Sequence, residues 1–448
     1  MDRGRLAQLL AAERERFAAE HPRSRELYER SRGSLVAGVP MSWMTMWAGG
    51  FPLFFEEARG ARITDADGRD YVDLCLGDTG AMAGHAPEAV AEAVSARVRR
   101  GVTAMLPTED AAWVGEELRR RFGLPRWQFA LTATDANRWV LRMARAITER
   151  PRVLVFNYCY HGTVDETFIS LDDQARPRSR HGNVGPAVDP TLTTEVVEWN
   201  DAEALERALA GGDIACVLAE PALTNIGIVL PEPGFHDALR QLTRDAGTLL
   251  VIDETHTMSA GPGGYTTAHG LEPDLLTVGK AIGGGVPVAA YGMSEELERR
   301  LLTLPGVDLE DVGGVGGTLA GNALSLAATR ATLEHVLTED AFERMIGLAE
   351  RFTSGVDQVI EAHSLPWHVV RLGARAEYRF RLEPPRNGGE AEAASDPELD
   401  AFMHVFLMNR GVLITPFHNM ALMCPATTEA DVDAHTEAFA AAAETLAA

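Results

Sequence analysis

The sequence predicts an α/β protein with a mainly parallel β-sheet flanked by helices, together with a smaller α+β domain. Between about residues 88 and 300, short apolar segments alternate with amphipathic helical patterns, as expected where helices connect parallel strands. A chain of 448 residues is long enough for two lobes and a large core. The predicted strands of this region are 127–131, 153–156, 216–219, 248–252 and 275–278.

The segments on either side predict the smaller part of the protein. Residues 3–31 have the charged and apolar faces of an amphipathic helix, and 54–74 predict a hairpin that turns at Asp67 and Gly68. We expect a long helix after about 325 and an alanine-rich helix at the end, whereas the polar, glycine-containing stretch 384–400 predicts a surface loop. The predicted divisions are an N-terminal helix and joining segment (1–70), a large domain (71–324) and a C-terminal small domain (325–448).

The composition argues against several classes of partner. A formal net charge of −24 disfavours nucleic acid and anionic membranes, and no apolar run approaches the roughly 20 residues of a membrane span. The N-terminal segment is charged, unlike the apolar core of a signal peptide, which favours the cytoplasm. The cysteines are far apart and form no CxxC pair, so we expect reduced core thiols and neither disulfides nor a metal site; they are Cys75, Cys159, Cys216 and Cys424.

Lys280 is the single lysine of the chain, because the other 40 of its 41 Lys and Arg residues are arginines. Arginine serves most surface roles of lysine but stays protonated, whereas a desolvated lysine amine can lose its proton and attack a carbonyl. Lys280 follows an apolar run and precedes a glycine cluster, in Thr-Val-Gly-Lys-Ala-Ile-Gly-Gly-Gly. We interpret it as a Schiff-base lysine; the alternative is a surface lysine in a loop.

Two carboxylates, Asp253 and Glu254, end the apolar strand that precedes Lys280 in the chain. A carboxylate at the carboxyl end of a parallel strand points into the ligand crevice. There it can keep a pyridine nitrogen protonated, so that the ring withdraws electrons from a lysine imine. The alternative is a pair of solvated acids at the end of a strand.

Two further segments follow predicted strands and suit the same kind of cofactor. Thr132 and Thr134 open an amphipathic helix, where free amides and hydroxyls can bind a phosphate, although threonine is also an ordinary helix cap. Tyr160, in Cys-Tyr-His-Gly, stands where an aromatic ring can stack on a flat cofactor. A tyrosine at such a position also serves in ordinary packing.

In this order and spacing, the segments resemble the class III (ω-) aminotransferases, which are pyridoxal 5′-phosphate (PLP) enzymes of fold type I. The resemblance is greatest to the branch of glutamate-1-semialdehyde aminomutase and the β-amino-acid aminotransferases, and it extends from Phe51 to the C-terminus. The matching motifs are Tyr-Val-Asp-Leu at 71–74, Gly-His at 84–85, Tyr-His-Gly at 160–162, Glu220-Pro221 with Asn225, Asp253-Glu254, Lys280, and Gly317-Thr318 with Gly321-Asn322.

The resemblance implies a role for each matching residue. Lys280 forms the internal aldimine and moves the substrate proton, Asp253 pairs with the pyridine nitrogen, and these two are catalytic. Tyr160 stacks on one face of the ring, and Thr255, where the family usually has valine, lies against the other. The large domain (71–324) thereby becomes the PLP-binding domain of a homodimer with shared active sites. The implied cofactor-binding residues are Thr132, Ala133, Thr134, Tyr160, His161, Glu220, Asn225, Asp253, Thr255, Lys280 and, from the neighbouring subunit, Thr318.

The chain departs from the family in the segments that face the substrate. Trp43 stands where relatives carry an arginine that binds a substrate carboxylate, and Asp78 stands where they have Trp or Tyr. We therefore expect Trp43, Asp78 and Tyr160 to contact a substrate that is not held through a carboxylate at this point; the alternative is that another arginine, such as Arg138, does so. His256 is a further departure, which is either a local acid or base or a hydrogen-bonded structural histidine.

The sequence thus predicts a cytoplasmic, homodimeric PLP aminotransferase that moves an amino group from a primary amine to an oxo acid. The first alternative is an aminomutase or epimerase on the same scaffold, which uses the same lysine and needs no external acceptor. The second is a catalytically silent relative that acts as a binding or regulatory subunit, which the intact Lys280, Asp253 and Tyr160 argue against. A nicotinamide oxidoreductase is disfavoured because no GxGxxG follows the first predicted strand.

Overall fold

The computed structural model of the chain describes residues 2–304 and 314–447. Its helices are α1 (Arg3–Glu20), α2 (Pro22–Ser31), α3 (Glu88–Val98), α4 (Glu109–Phe122), α5 (Ala133–Thr148), α6 (Ala202–Leu209), α7 (Phe235–Asp245), α8 (Gly264–Ala268), α9 (Glu295–Leu301), α10 (Ala323–Ala331), α11 (Glu339–Ala362), α12 (Gly388–Ala393), α13 (Pro397–Met408) and α14 (Glu429–Ala447).

Within the described residues, the strands belong to four sheets. They are β1 (Phe55–Arg59), β2 (Arg62–Asp65), β3 (Asp70–Asp73), β4 (Arg126–Ala130), β5 (Arg152–Phe156), β6 (Ile169–Leu171), β7 (Pro177–Ser179), β8 (Thr194–Val197), β9 (Ile214–Ala219), β10 (Leu249–Asp253), β11 (Leu275–Val278), β12 (Ala289–Met293), β13 (His368–Leu372), β14 (Arg375–Arg379), β15 (Val412–Leu413) and β16 (Met420–Leu422).

The chain divides into two compact units. The smaller unit comprises Met1–Pro87, Glu343–Pro384 and Ala394–Ala448, and the larger unit comprises Glu88–Phe342 and Pro385–Ala393. The predicted boundaries after residues 70 and 324 differ from the ends of these segments, and that division of the chain stays a prediction.

The larger unit is built on a seven-stranded sheet with the order β4-β12-β11-β10-β9-β5-β8. Its strands run parallel except β12, which pairs antiparallel with both β11 and β4. Every residue of β9 and β10 is buried, because helices cover both faces of such a sheet and its central strands are apolar throughout. The mainly parallel sheet predicted from the sequence is therefore confirmed, and the five predicted strands agree with the observed ones to within two residues.

The smaller unit contains two antiparallel-rich sheets and long helices. One sheet has the order β1-β2-β3-β15 and the other β13-β14-β16. The hairpin predicted over 54–74 is confirmed, although it contains three strands because the chain also turns at Gly60. The helix predicted over 3–31 is interrupted at His21, since Pro22 starts a second helix and cannot continue the first.

The surface loop predicted over 384–400 is wrong in part, because it contains α12 and the start of α13. Gly388 packs so closely on the larger unit's backbone that a Cβ there would lie 2.2 Å from the carbonyl oxygen of Asn157. The glycines of this stretch thus permit a close approach, whereas the sequence suggested a flexible turn.

The four cysteines are buried and form no disulfide, in agreement with the expectation of reduced core thiols. Within residues 2–304 and 314–447, no helix combines the length and apolar character that a membrane crossing requires.

Candidate active site

The carboxyl ends of three neighbouring parallel strands bring the predicted catalytic residues to one edge of the seven-stranded sheet. In the register of β10 and β11, Asp253 is paired with Thr277, and β9 lies on the other side of β10. Asp253 is the last residue of β10, Glu220 directly follows β9, and Lys280 is two residues beyond the end of β11. Ligands of open α/β sheets bind at this edge.

Asp253 is buried as a hydrogen-bonded anion. Its Oδ2 accepts hydrogen bonds from Asn137 Nδ2 at 2.8 Å and from His161 Nδ1 at 2.9 Å, and its Oδ1 accepts the backbone N–H of Thr255 at 3.0 Å. Burial alone would raise the pKa of Asp253, but the hydrogen bond and charge of His161 outweigh it and bring that pKa to about 2. The carboxylate therefore stays ionised at any physiological pH.

His161 is the positive partner of this pair. Burial lowers its pKa, but the side chains of Cys159 and Asp253 together raise it well above the ordinary value. The prediction from the family motif placed His161 among the cofactor-binding residues. Its position shows a contact with Asp253 through Nδ1, so that it holds the carboxylate in place and charged.

Asn137 and Thr277 are site residues that the sequence did not single out. Thr277 Oγ1 donates to Asn137 Oδ1 at 2.8 Å, which turns the Asn137 amide nitrogen toward Asp253 and toward the carbonyl oxygen of His161. The available signal was an amide on an apolar face, because Asn137 lies one helical turn before Leu141 on the buried side of α5. A buried amide requires polar partners, which here include the predicted catalytic residue Asp253.

Lys280 has a left-handed backbone conformation with φ of 46°, which is uncommon for a residue with a side chain. The loop that carries it passes between α5 and β12, since a Cβ on Gly279 would lie 3.1 Å from the Cβ of Ala133 and 3.3 Å from that of Ala289. Such strain in a well-packed loop is typical of functional sites. The Nζ atom of Lys280 lies 2.8 Å from Nε2 of His256.

The N-terminus of α5 has the geometry of an anion site. Thr132 caps the helix by accepting the N–H of Asp135 at 3.1 Å. A Cβ on Gly162 would lie 2.2 Å from the hydroxyl of Thr134, so the segment after β5 needs glycine to approach the helix. The first amides of a helix have no acceptor within it, and with the helix dipole they favour a phosphate.

Glu220 fixes the segment that contains Tyr160. Its Oε1 accepts the backbone N–H of Tyr160 at 3.1 Å, and its Oε2 accepts the backbone N–H of Thr224, also at 3.1 Å. Burial raises the pKa of Glu220. Asn225 donates to the carbonyl oxygen of Tyr158 at 3.2 Å, so both residues hold the backbone of this segment, while the ring of Tyr160 makes an edge contact with Phe168.

Two predicted cofactor contacts differ in exposure. Thr255 is buried, and its side chain contributes to the low pKa of the neighbouring Asp253. Thr318 is exposed on the single chain, next to Leu319, which is 51% exposed. The alternative carboxylate-binding residue Arg138 is exposed on α5.

The predicted substrate residues Trp43 and Asp78 belong to the smaller unit. The ring of Trp43 packs edge-on against Phe417, with centroids 4.9 Å apart. Asp78 lies in a turn, 76–79, in which all four residues have positive φ. The turn is fixed by Asp73, whose Oδ1 accepts the N–H groups of Cys75 and Leu76 at 2.9 and 3.0 Å.

Comparison with known proteins identifies the family. The family model for class-III aminotransferases matches residues 44–443. A glutamate-1-semialdehyde 2,1-aminomutase of Chloroflexus aggregans is 34% identical over 410 residues, which cover 88% of this chain and 91% of that protein.

Solved structures of similar proteins cover almost the whole chain. A glutamate-1-semialdehyde aminomutase of Pseudomonas aeruginosa PAO1 is 50% identical, with a TM-score of 0.97 and coverage of 100% of this chain and 99% of that one. A Lys-to-Ala variant described as the aminomutase of the same organism was solved in complex with PMP. An ω-transaminase of Sphaerobacter thermophilus is 29% identical, with a TM-score of 0.85 and coverage of 94% and 97%.

Proposed function

Since the chain belongs to the class-III aminotransferase family, we propose that it is a PLP-dependent aminomutase, which moves an amino group between neighbouring carbons of one molecule. The single observation that carries this proposal is its 34% identity, over 88% of its length, to a glutamate-1-semialdehyde 2,1-aminomutase. The proposed substrate is accordingly an amino aldehyde of the glutamate-1-semialdehyde type. Its amino group moves from carbon 2 to carbon 1, and the carbonyl moves the other way.

The aminotransferase interpretation is less well supported than this alternative. An aminotransferase requires a separate oxo acid, whereas an aminomutase returns the amino group to the molecule that supplied it, so the product is an isomer of the substrate. The P. aeruginosa structure with 50% identity is an aminomutase, and the ω-transaminase is only 29% identical. The membership of this family and the fold of type I PLP enzymes agree with the sequence predictions, and the cofactor is PLP.

The residues of the site fit this cofactor. Asp253 is ionised and buried, as a partner of a protonated pyridine nitrogen must be. The N-terminus of α5, with Thr132 and Thr134, would hold the phosphate, and the buried hydroxyl of Thr255 would face one side of the ring. Tyr160 would lie on the other side. These assignments follow the family motif and stay proposals for this chain.

When bound, PLP supplies an electron-withdrawing ring that acidifies the carbon–hydrogen bond next to the substrate nitrogen. Lys280 then acts through its amine, which accepts this proton at Nζ and returns it at the neighbouring carbon. His161 and Asn137 keep Asp253 ionised and correctly turned throughout. Glu220 holds the backbone of Tyr160 through its N–H.

A second candidate is favoured by one observation. Trp43 replaces the arginine that relatives use for a substrate carboxylate, and Asp78 adds an acid in place of an aromatic ring. Both changes favour a substrate with a second amine, several hydroxyls or an apolar chain. The second candidate is therefore an aminotransferase, or an aminomutase, for an amine without a carboxylate at this position.

We also propose a homodimer in which Thr318 serves the active site of the partner subunit. Thr318 is exposed on the single chain, and the nearby apolar residue Leu319 is 51% exposed. Met105 and Leu106 are further apolar side chains on the surface of the larger unit, 78% and 74% exposed. Exposed apolar side chains that form one contiguous patch are typical of a surface that another protein covers. Sedimentation analysis of the holoenzyme tests the dimer.

The proposed activity is tested by incubating the holoenzyme with glutamate-1-semialdehyde and no other amine or oxo acid. Formation of the isomer with its amino group on carbon 1 supports the aminomutase. A product that forms only after an oxo acid is added supports an aminotransferase instead. A second arm adds diamines, amino polyols and β-amino acids one at a time, because a β-amino acid that is preferred through its carboxylate would contradict the role inferred for Trp43.

A further inference from the structure

Lys280 belongs to the family motif, but His256, which it contacts, does not. Lys280 Nζ and His256 Nε2 are 2.8 Å apart, which is hydrogen-bond distance. The two atoms can bond only if one of them lacks a proton, because an ammonium and a protonated imidazole both offer donors only. Two cations at this distance would also repel each other. In this geometry one proton therefore lies between Nζ of Lys280 and Nε2 of His256, and the two groups do not both carry a positive charge.

The backbone around His256 is fixed by the buried carboxylate of Glu254. Oε2 of Glu254 accepts the N–H of Tyr265 at 3.1 Å and the hydroxyl of Thr257. The backbone carbonyl oxygen of Glu254 accepts the N–H of Met258 at 2.9 Å. This carboxylate thus joins the turn after β10 to the start of α8. A side chain mounted on such a turn keeps its position relative to the strands beside it.

Lys280 is fixed from its own side by the loop after β11. Its φ of 46° and the close packing of Gly279 on α5 leave the side chain a restricted direction. Because β10 and β11 are parallel neighbours, His256 and Lys280 emerge at the same edge of the sheet. Both side chains are only half-buried, so a proton can also exchange with solvent.

We propose that His256 is the positioning and proton-exchange partner of Lys280. Whenever the lysine amine is not bound to the cofactor, Nε2 of His256 holds Nζ at one place. It also accepts the proton that Nζ must lose before the amine can act as a nucleophile again. His256 is a positioning residue, since its effect on the reaction passes through Lys280.

The single lysine makes this proposal directly measurable. In cofactor-free full-length protein labelled with [ε-¹³C]lysine, the only lysine signal comes from Lys280. Two interacting groups titrate in two macroscopic steps. Between about pH 5 and about pH 11, which spans ordinary imidazole and lysine values, the wild-type signal is expected to move in two steps. In His256→Gln it moves in one.

The control is His181→Gln, which makes the same substitution at an exposed histidine of the larger unit. Its lysine signal is expected to match the wild type. A wild-type signal that moves in one step, or in two steps that persist in His256→Gln, overturns the proposal. If His256→Gln does not fold, as judged by its thermal unfolding, His256→Asn replaces it and the same outcomes apply.

A kinetic arm in the holoenzyme rests on the proposed function, whereas the titration does not. His256→Met is expected to lower kcat roughly tenfold or more with little change in KM, because proton transfer and not substrate binding is affected. His256→Gln is expected to recover part of the loss through its polar side chain. Unchanged kcat in both variants overturns the catalytic consequence. An enzyme inactive on every substrate argues against the proposed function alone and leaves the titration as the test.

Discussion

The edge of the sheet around Lys280 and the turn 76–79 each place a predicted site residue in a left-handed conformation, with φ of 46° at Lys280 and 50° at Asp78. They differ in how the chain uses this strain. Around Lys280 the residues match the family motif and are joined by many buried hydrogen bonds. In the turn, Asp78 is predicted to depart from the family, and Asp73 binds the N–H groups of Cys75 and Leu76 at the start of the turn.

The difference suggests that the two regions are under separate demands. The proposed chemistry uses the same ring-nitrogen partner, amine and phosphate site whatever the substrate, so we expect changes at Asp253 and Lys280 to be poorly tolerated. If the turn 76–79 contacts the substrate, as we propose, a changed side chain on its backbone would alter specificity. We therefore attribute the strain at Asp78 to the proposed substrate site and the strain at Lys280 to the proposed chemistry.

The largest effect is expected from Asp253→Asn. An uncharged amide cannot keep a pyridine nitrogen protonated, so we expect the rate to fall about 10²- to 10³-fold, as for the loss of one preorganised electrostatic contact. The measurement is kcat/KM of the variant. Asp237→Asn is the matched control, because it makes the same substitution at an exposed carboxylate of the larger unit and should keep most activity. Equal losses in both variants would contradict a special role for Asp253.

The next largest effect is expected on stability, from Asp73→Ala in the smaller unit. The carboxylate of Asp73 accepts two backbone amides and lies 2.7 Å from Nε2 of His85, and buried hydrogen bonds to a charged group contribute about 1.5–3 kcal/mol each. We expect the free energy of unfolding to fall by about 3 kcal/mol, measured by urea denaturation. Asp70→Ala on the exposed end of β3 serves as the control. A fall in the free energy of unfolding below about 1 kcal/mol would mean that the turn is stable without the carboxylate of Asp73.

Two buried histidines differ in their hydrogen bonds, and this difference affects how stability depends on pH. His161 is paired with Asp253, whereas neither ring nitrogen of His435 has a hydrogen-bond partner among the described residues. Burial lowers the pKa of His435 to about 3, against an ordinary value of about 6.5. Between these values the unfolded state binds more protons than the folded state. The free energy of unfolding therefore falls as the pH decreases through this range, by at most about 1.4 kcal/mol per pH unit.

His435→Leu should remove this part of the acid sensitivity. The difference in the free energy of unfolding between pH 7 and pH 5 is expected to shrink by about 2 kcal/mol. His181→Leu, which changes an exposed histidine, should leave the difference unchanged. An identical pH dependence of the wild type and His435→Leu would show that His435 is not neutral in the folded protein.

The smallest effect is expected from Asp78→Gly, with opposite signs for stability and activity. Glycine adopts positive φ without strain, but it also gains freedom in the unfolded chain, so we expect a net stabilisation of only about 0.5 kcal/mol. Activity should fall, because the carboxylate is lost. Asp78→Asn keeps the backbone preference and provides the control for stability. Full activity of Asp78→Gly would remove Asp78 from the substrate site.

The sequence was most informative where one feature determines the structure. The apolar strands 248–252 and 275–278 could be predicted because buried parallel strands are apolar on both faces. Lys280 could be found because it is the single lysine of the sequence, in which all the other Lys and Arg residues are arginines. The sequence was least informative where a residue acts through its neighbours. Asn137 looks like an ordinary helix residue until Thr277 and Asp253 are placed beside it.

The same limit explains two other features. Gly388 suggested a flexible loop, although its lack of a side chain permits close packing on Asn157. The sequence left open whether His256 is an acid, a base or a structural residue, and only the folded chain shows its Nε2 at 2.8 Å from Nζ of Lys280. Contacts between residues distant in sequence require the folded chain.

The most direct test of the account is to reduce the holoenzyme with borohydride and locate the cofactor by mass spectrometry. Because the chain has one lysine, the account predicts one phosphopyridoxyl group per chain, on the peptide that contains Lys280, and none in Lys280→Arg. In Arg138→Lys, which adds a second, exposed lysine, the group should remain on Lys280. Cofactor found elsewhere, or absent from protein supplied with excess PLP, would contradict the central role of Lys280.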